Sequence, residues 1–276
     1  MARGCPPYQD WSSNLPNIRK EENIMAHFYT SERLPKFLPN VETPAQALKD
    51  TKAWPSVTTV LSIIKDDFID SIYQPKQLVT LAREHPDLDW RDVKDMTYGF
   101  RKHPWTGAMI PSSEFGTSVH KRIEDIIKGV EDDTATPWDD WAMPFVQWVA
   151  DNNVSVMGTE YVIGNNVLKI AGSVDFIGTY EDGKIFLADY KTRKCKGKGN
   201  YYGKDCKQLA VEAWMLQQLL DLDYLPGCVS VCICTETAEH YHKVWKDYDV
   251  QYHLEGAMLA AKVYWQERMT KATSYK

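Results

Sequence analysis

The chain has 276 residues, of which 43% are hydrophobic and 25% are charged, and its net charge at pH 7 is −6. This balance is ordinary for a globular protein with a sizeable core. No stretch approaches 18 uninterrupted apolar residues and no secretory signal is visible, so the sequence predicts neither a membrane span nor a membrane partner. The acidic total does not favour nucleic-acid binding, and any such surface must come from local segregation of charge.

The six cysteines form no Cys-x-x-Cys pair. Cys232 and Cys234 lie two apart in an apolar run, as buried strand residues do. Together with the absence of a signal sequence, this indicates an intracellular protein with reduced thiols.

The first half of the chain predicts an N-terminal arm and a helical section before the core. Residues 1–53 are rich in proline and have little periodicity, which is typical of an irregular arm. Residues 54–110 predict a helical section, with a short helix near Trp54–Ile64 and an interrupted helical pattern over Tyr73–Tyr98. The core is expected over residues 111–276. It opens with a helix over Glu114–Lys128, with a serine of the Pro111-Ser112-Ser113 sequence as its N-cap and Gly129 as its stop.

The rest of the core alternates helices and strands. A second helix is predicted over Trp138–Ala150, and then a three-stranded meander, a helix, two paired strands and a final helix. The predicted ranges are Val156–Ile163, Val167–Tyr180, Lys184–Tyr190, Asp205–Leu220, Val229–Thr235, Tyr241–Trp245 and Val250–Met269. This order predicts an α/β fold with a mixed central sheet flanked by helices.

One predicted strand carries a carboxylate and an amine on the same face. Alternation places Ile185, Leu187, Asp189 and Lys191 together. A carboxylate that follows two apolar residues needs a partner, and a divalent cation is a good one. A lysine two residues on can orient a metal-bound water or stabilise charge on a phosphate. A plain Asp–Lys pair near a strand end is the structural alternative.

Three further residues extend this pattern. Asp175 is an acid inside an apolar strand, and an antiparallel neighbour would place it beside Asp189, where two carboxylates repel unless a cation joins them. Gly172 marks a close approach of a backbone or ligand. His120 shares a helix face with Gly116 and Glu124, which leaves room for substrate at the glycine. A solvated Asp175 and a hydrogen-bonded His120–Glu124 pair are the structural alternatives.

Four motifs in order resemble the RecB-like branch of PD-(D/E)XK nucleases. They are GTSVHKRIE, AGSVDFIG, LADYKT and KQLAVEAW, and the branch pattern is Gly-x-x-x-His, Gly-x-x-Asp, Asp-x-Lys and Gln-x-x-x-Tyr. The branch includes the RecB nuclease domain, Cas4-like exonucleases, and mitochondrial genome-maintenance and phage exonucleases. The upstream PSVTTVL is similar to a segment of the last two groups. The resemblance covers about Pro55 to Leu220 and implies a restriction-endonuclease-like core.

The resemblance also implies roles for individual residues. Asp175, Asp189 and His120 would bind Mg²⁺ or Mn²⁺ together with the Tyr190 carbonyl, and Lys191 would position the attacking water. Glu160 lies where relatives often carry a glutamate. Glu160 and Glu124 are each as well explained by a structural partner as by a site role.

The sequence departs from relatives at two points. Gln208 matches the last motif, but Glu212 stands where the pattern has tyrosine, which affects DNA placement more than catalysis. Cysteines of some relatives hold an iron–sulfur cluster, whereas the spacing of Cys5, Cys228, Cys232 and Cys234 does not match one, so no cluster is expected.

The segment Lys191–Lys207 holds seven basic residues and a single acid. Phosphate contacts from Arg193, Lys194 and Lys196, with Gln208, would draw DNA into the site, and Tyr201 and Tyr202 could stack on bases. A solvated loop is the alternative.

These observations predict a Mg²⁺- or Mn²⁺-dependent deoxyribonuclease, an exonuclease on single-stranded DNA that acts in recombination, repair or replication, in which a partner protein supplies any unwinding. A bacterial or phage-infected cytoplasm is favoured over the mitochondrion. The alternatives are a structure-specific endonuclease with the same site, a non-catalytic DNA-binding module, and an unrelated α/β domain.

Overall fold

A computed structural model describes residues 28–30, 53–63, 74–84, 86–87, 93, 97, 99–130, 134–195 and 197–274. The predicted arm over residues 1–53 lies almost entirely outside these ranges, as do Lys196 and much of the helical section. Among the described residues, no helix has the length and apolar character needed to cross a membrane.

A five-stranded mixed sheet forms the centre of the molecule, as the sequence predicts. Its strands are β5 (Ser155–Asn165), β6 (Ile170–Thr179), β7 (Ile185–Arg193), β8 (Gly227–Cys234) and β9 (His240–Val244), and they stand in that order across the sheet. All neighbours are antiparallel except β7 and β8, which are parallel. A parallel pair needs a crossover, and helix α5 (Gly203–Leu220) supplies it.

Alternation along β7 divides the core between the two faces of the sheet. Ile185 and Leu187 pack with α5 and the C-terminal helix α6 (Asp247–Ser274). Phe186, Ala188 and Tyr190 pack on the opposite face, against α3 (Ser112–Ile127) and α4 (Asp139–Asp151). The six buried residues of β7 from Ile185 to Tyr190 are therefore covered on both sides, which explains the apolar run that precedes Asp189.

The predicted helical section contains strands as well as helices. Helices α1 (Val57–Leu61) and α2 (Gln74–Glu84) are present, together with an antiparallel pair of β1 (Phe28–Thr30) and β2 (Ala53–Pro55). A hairpin of β3 (Phe100–Lys102) and β4 (Met109–Pro111) leads directly into α3. The sequence did not predict these four short strands, because each has three residues and no alternation to detect.

The start of α3 differs from the prediction of a serine N-cap. Pro111 occupies the N-cap position, with no capping side chain. Ser112 lies inside the helix, where its hydroxyl donates a hydrogen bond of 2.7 Å to the carbonyl of Gly99 and ties α3 to the hairpin. At the other end, Gly129 adopts a φ of +62° just after the last turn, which fits the predicted stop.

Candidate functional site

The two aspartates of the predicted site lie at the point where β6 and β7 separate. The ladder between these strands begins at Phe176 and Ala188, so Asp175 is the first residue beyond it. Its carboxylate accepts a hydrogen bond of 2.8 Å from the backbone N–H of Tyr190. This contact fixes the Asp175 side chain at the end of the paired region.

Asp189 and Lys191 form a pair on the α5 face of β7, as alternation predicts. The Lys191 ammonium donates to Asp189 Oδ1 at 2.5 Å. Asp189 is 1% exposed, and its second oxygen, Oδ2, is buried without a hydrogen-bond partner among the described residues. An ionised carboxylate in such a place is costly unless a further positive charge meets the free oxygen.

Helix α3 brings His120 to the same place. Phe115, Val119 and Ile123 anchor the helix in the core, and the His120 ring meets the Tyr190 ring edge to face at 5.3 Å. Its Nδ1 lies 3.6 Å from Asp175 Oδ2. Burial, and then the charge of Lys191, lower the pKa of His120 to about 4, so the ring is neutral at pH 7 and has a free lone pair to offer.

Glu160 enters the site from β5. The register of its neighbours, Thr159 with Phe176 and Tyr161 with Val174, leaves Glu160 opposite Asp175. Its φ of +48° is in the left-handed region, which is uncommon for a residue other than glycine and costs free energy within a strand. The Ser173 hydroxyl donates to its carboxylate at 2.9 Å. Strain of this kind persists where the surroundings impose it, and functional sites are common places for it.

His120, Glu160 and Asp175 each offer one ligand atom within 4.8 Å of the others, which makes them a candidate metal-binding triad. An imidazole and two carboxylates suit Mn²⁺ well, and the carboxylates suit Mg²⁺. The unpaired Oδ2 of Asp189 supports the same interpretation. The donor set of this chain therefore fits a divalent cation. Asp189 was predicted as a ligand and is not a member of the triad, whereas Glu160 is.

Burial dominates the electrostatics of the carboxylates. It raises the pKa of Asp175, and it raises the pKa of Asp189 to about 6, although Lys191 acts in the opposite direction on both. Burial and the nearby Asp175 charge raise the pKa of Glu160 to about 8. Burial alone would lower the pKa of Lys191, but the charges of Asp189 and Asp175 outweigh it and raise that pKa. The site thus concentrates carboxyl groups with raised pKa values around one ammonium group.

Glu212 adds a fourth buried acid that the sequence analysis treated only as a departure from the motif. It is 2% exposed, and its carboxylate accepts a hydrogen bond of 3.1 Å from the Gln208 side chain. Burial raises its pKa well above the usual range, and the charges of Asp189 and Asp175 act in the same direction. A Cβ on Gly172 would come within 3.5 Å of its carboxylate. The sequence signal for Glu212 was the presence of an acid within the apolar face of α5, close to Leu209 and Ala213.

The similarities of this chain to known proteins are to solved structures. No family model and no curated protein matches it. Among solved structures, it is similar to a protein from Eubacterium rectale described provisionally as an exonuclease, with 10% identity, coverage of 85% of this chain and 87% of that one, and a TM-score of 0.45. It is also similar to the protein SSO0001, with 18% identity, coverage of 66% and 70%, and a TM-score of 0.32. Identity to both proteins is low, so the function of this chain must be argued from its own residues.

The residues predicted to bind DNA have different surroundings. Arg193 forms a two-pronged ion pair with the buried Asp205, at 2.7 Å for each contact, and also donates to the carbonyl of Asn200. Gln208 is bonded to Glu212. Lys194 is exposed, and Lys196 lies outside the described residues. Of the residues predicted to bind DNA, Lys194 is therefore the one that the structure describes as exposed and available to a ligand.

Two expectations about α3 are refined by the structure. Gly116 does not leave space for substrate, because a Cβ there would meet the Thr192 hydroxyl at 3.0 Å. The glycine instead allows α3 to approach β7 closely and so brings His120 to Asp175. Glu124 is paired with Lys128 one turn along the helix, and it lies outside the triad.

Proposed function

We propose that this protein is a metal-dependent deoxyribonuclease that hydrolyses phosphodiester bonds of DNA at the site formed by His120, Glu160, Asp175, Asp189 and Lys191. The observation that carries the proposal is the convergence of the candidate metal-binding triad with the Asp189–Lys191 pair at one end of β7. A stabilising ion pair alone would not require three further acids and a neutral imidazole around it.

The triad would hold Mg²⁺ or Mn²⁺, with Asp189 Oδ2 and the Tyr190 carbonyl as further oxygen donors. Such a cation lowers the pKa of a coordinated water and withdraws charge from a phosphate. The neutral His120 and the carboxylates of Glu160 and Asp175 suit this task. The Tyr190 N–H holds Asp175 in place, so its orientation does not depend on the ligand.

Lys191 would provide the charge that acts on the substrate. One of its N–H groups is engaged by Asp189, and its side chain is 31% exposed while that of Asp189 is 2% exposed. The remaining N–H groups can donate to the attacking water or to a phosphate oxygen. Because nearby carboxylates raise its pKa, Lys191 stays protonated at pH 7. It therefore acts as a positioning and electrostatic group, not as a general base.

Single-stranded DNA is the proposed substrate, in recombination, repair or replication, with cleavage from an end. The basic segment Lys191–Lys207 directly follows the part of β7 that carries Asp189. A bound DNA strand would therefore pass from the site to the basic segment. Exposed Lys194, Lys198 and Lys204 lie in this segment, and the exposed Tyr202 lies beside them. These groups match the phosphates and the base faces of a flexible strand.

The test is a cleavage assay with end-labelled linear and circular single-stranded DNA, in Mg²⁺, Mn²⁺ or EDTA. Lys191→Ala is compared with Lys184→Ala, which removes a 74% exposed lysine from the turn between β6 and β7. We expect metal-dependent loss of the linear strand, a fall of at least about 100-fold for Lys191→Ala because a group that stabilises the transition state is lost, and no change for Lys184→Ala.

The other outcomes separate the alternatives. Cleavage of circles at the same rate as linear strands assigns endonuclease activity to the same site. DNA binding without cleavage in any metal points to a binding module. Equal activity of the two lysine variants would contradict the proposed site.

A further inference from the structure

A cluster of three thiols lies beside the candidate active site and has no part in the proposed chemistry. Cys195 follows β7 by two residues, and Cys232 and Cys234 lie in β8. All three are free in the structure. The Sγ atoms of Cys195 and Cys232 are 3.7 Å apart, which is van der Waals contact for two sulfur atoms.

The backbone around this pair closes into a small loop. The Arg193 guanidinium donates a hydrogen bond to the Asn200 carbonyl. The Asn200 side-chain amide donates another to the Lys194 carbonyl. The N–H of Asn200 donates to Cys232 Sγ at 3.4 Å. Cys195 thus lies in a loop whose two ends are held together by the hydrogen bonds of Asn200. The same asparagine contacts Cys232 through its backbone N–H. The two sulfur atoms are brought together by several independent contacts.

We propose that Cys195 and Cys232 form a reversible disulfide and constitute a redox modification site next to Lys191. The register of the parallel pair places Cys232 beside Lys191, and Cys195 is four residues beyond that lysine. The bond would covalently close a ring that contains α5 with Gln208 and Glu212. Cys195 is partly exposed and Cys232 is buried, so Cys195 is the thiol that an oxidant reaches first.

The chemistry needs a low-molecular-weight disulfide such as oxidised glutathione. The Cys195 thiol loses its proton and attacks one glutathione sulfur, which forms a mixed disulfide and releases one reduced glutathione. The Cys232 thiol then loses its proton and attacks Cys195 Sγ, which releases the second. Two protein thiols are oxidised and one glutathione disulfide is reduced, with the protons carried by the departing thiols.

A metal site is the competing use of the same residues. A structural zinc site needs four ligands from cysteine and histidine, with each sulfur about 2.3 Å from the ion. Cys232 and Cys234 are two apart on one strand face, but among the described residues no group of three His, Cys, Asp or Glu that includes these thiols has its ligand atoms within 4.8 Å of one another. Cys195 also interacts with the Cys234 thiol. The sulfur–sulfur contact of 3.7 Å is to Cys232, which favours a bond between Cys195 and Cys232.

The test uses the full-length protein, reduced and then equilibrated in glutathione buffers of graded ratio. Remaining thiols are alkylated under denaturing conditions, and peptides are mapped without reduction. We expect Cys195 and Cys232 to lose alkylation together and to appear in one linked peptide, which dithiothreitol separates. Cys234→Ser and Cys5→Ser should leave this result unchanged, while Cys195→Ser should leave Cys232 fully alkylated. Far-ultraviolet circular dichroism verifies that each variant is folded.

Three results would overturn the proposal. One is a link between Cys195 and Cys234 as the main product. Another is glutathione retained on Cys195 with Cys232 still reduced. The third is one equivalent of zinc, measured by elemental analysis of the purified protein, that shields the thiols and is lost in Cys195→Ser. None of these readouts depends on nuclease activity, so the outcome is independent of the proposed function.

Discussion

Glu160 combines a strained backbone with a place opposite Asp175 and next to His120. A left-handed φ of +48° within β5 is kept although it costs free energy. The register of the strand also shifts between Val156 and Gly158, just before Glu160. The local backbone thus serves to direct one carboxylate into the site.

We therefore predict that Glu160→Gln lowers the affinity for Mn²⁺ by at least about tenfold, since it removes one charged donor from the ligand set. Glu124→Gln is the matched control, because Glu124 also lies near the site but is paired with Lys128. Isothermal titration with Mn²⁺ measures both. Equal losses in the two variants would mean that the effect is one of general charge and not of ligation.

Asp205 holds the basic segment to the start of α5. It is 1% exposed, accepts two hydrogen bonds from Arg193, and accepts another from the N–H of Tyr202 as part of a capping box. Arg193 also lies over the Tyr202 ring at 4.5 Å. One buried carboxylate thus links the end of β7, the loop and the helix.

Asp205→Ala is expected to lower the free energy of unfolding by about 3 kcal/mol, because it leaves a largely buried guanidinium unpaired and also removes a helix cap. Asp205→Asn should cost less, since its side-chain oxygen can still accept from Tyr202. Urea unfolding at pH 7 measures both changes. Asp125→Ala, which breaks an exposed pair with Lys121, should cost less than about 1 kcal/mol.

The contact between β9 and α4 is sensitive to acid. His240 Nε2 bonds with the Trp141 carbonyl at 2.7 Å, and His242 stacks on Trp148 at 4.6 Å. Burial lowers the pKa of both imidazoles to about 4. Between pH 6.5 and 4 the unfolded chain binds protons at these positions and the folded chain does not, so stability is full above pH 6.5 and is lost as the pH falls.

His242→Phe keeps the stacked ring and cannot be protonated, so it should reduce the loss of stability between pH 7 and 4.5 by on the order of 1 kcal/mol relative to wild type. Urea unfolding at both pH values measures this. Buried carboxylates with raised pKa values act in the opposite direction, but they are common to both proteins and cancel in the difference. An unchanged pH dependence would show that His242 is not kept neutral in the folded state.

The long elements were predictable because their signals are long. The periodicity of α3 placed His120 on one helix face with Gly116 and Glu124, and the alternation of β7 placed Asp189 with Lys191 on one strand face. Glu160 was left open, because the sequence does not show whether its carboxylate meets a structural partner or a ligand. The partners of Arg193 and Gln208 were also missed. Both side chains are polar and near the site, and only the fold shows that Asp205 and Glu212 already bind them.

At the scale of the whole molecule, a net charge of −6 opposes DNA binding, so affinity must come from segregated positive charge. Arg193 is bound to Asp205 and Lys191 to Asp189, and Lys207 is half-buried. This leaves Lys194, Lys198 and Lys204 as the described cations of the segment that are exposed to phosphates. Attraction through three such contacts depends strongly on salt, because each displaces condensed counterions from the strand.

Replacing Lys194, Lys198 and Lys204 together by glutamine should therefore reduce the slope of log Kd against log salt by about 2 for single-stranded DNA. Fluorescence anisotropy in Ca²⁺, with labelled DNA from low to moderate salt, gives this slope without turnover. The matched control replaces three exposed lysines outside the segment, Lys76, Lys169 and Lys184, and should leave the slope unchanged. Equal effects of the two triple variants would mean that the strand is attracted by diffuse charge. A reduced slope in the first triple variant alone would place the DNA strand along the loop that follows β7, within reach of Lys191.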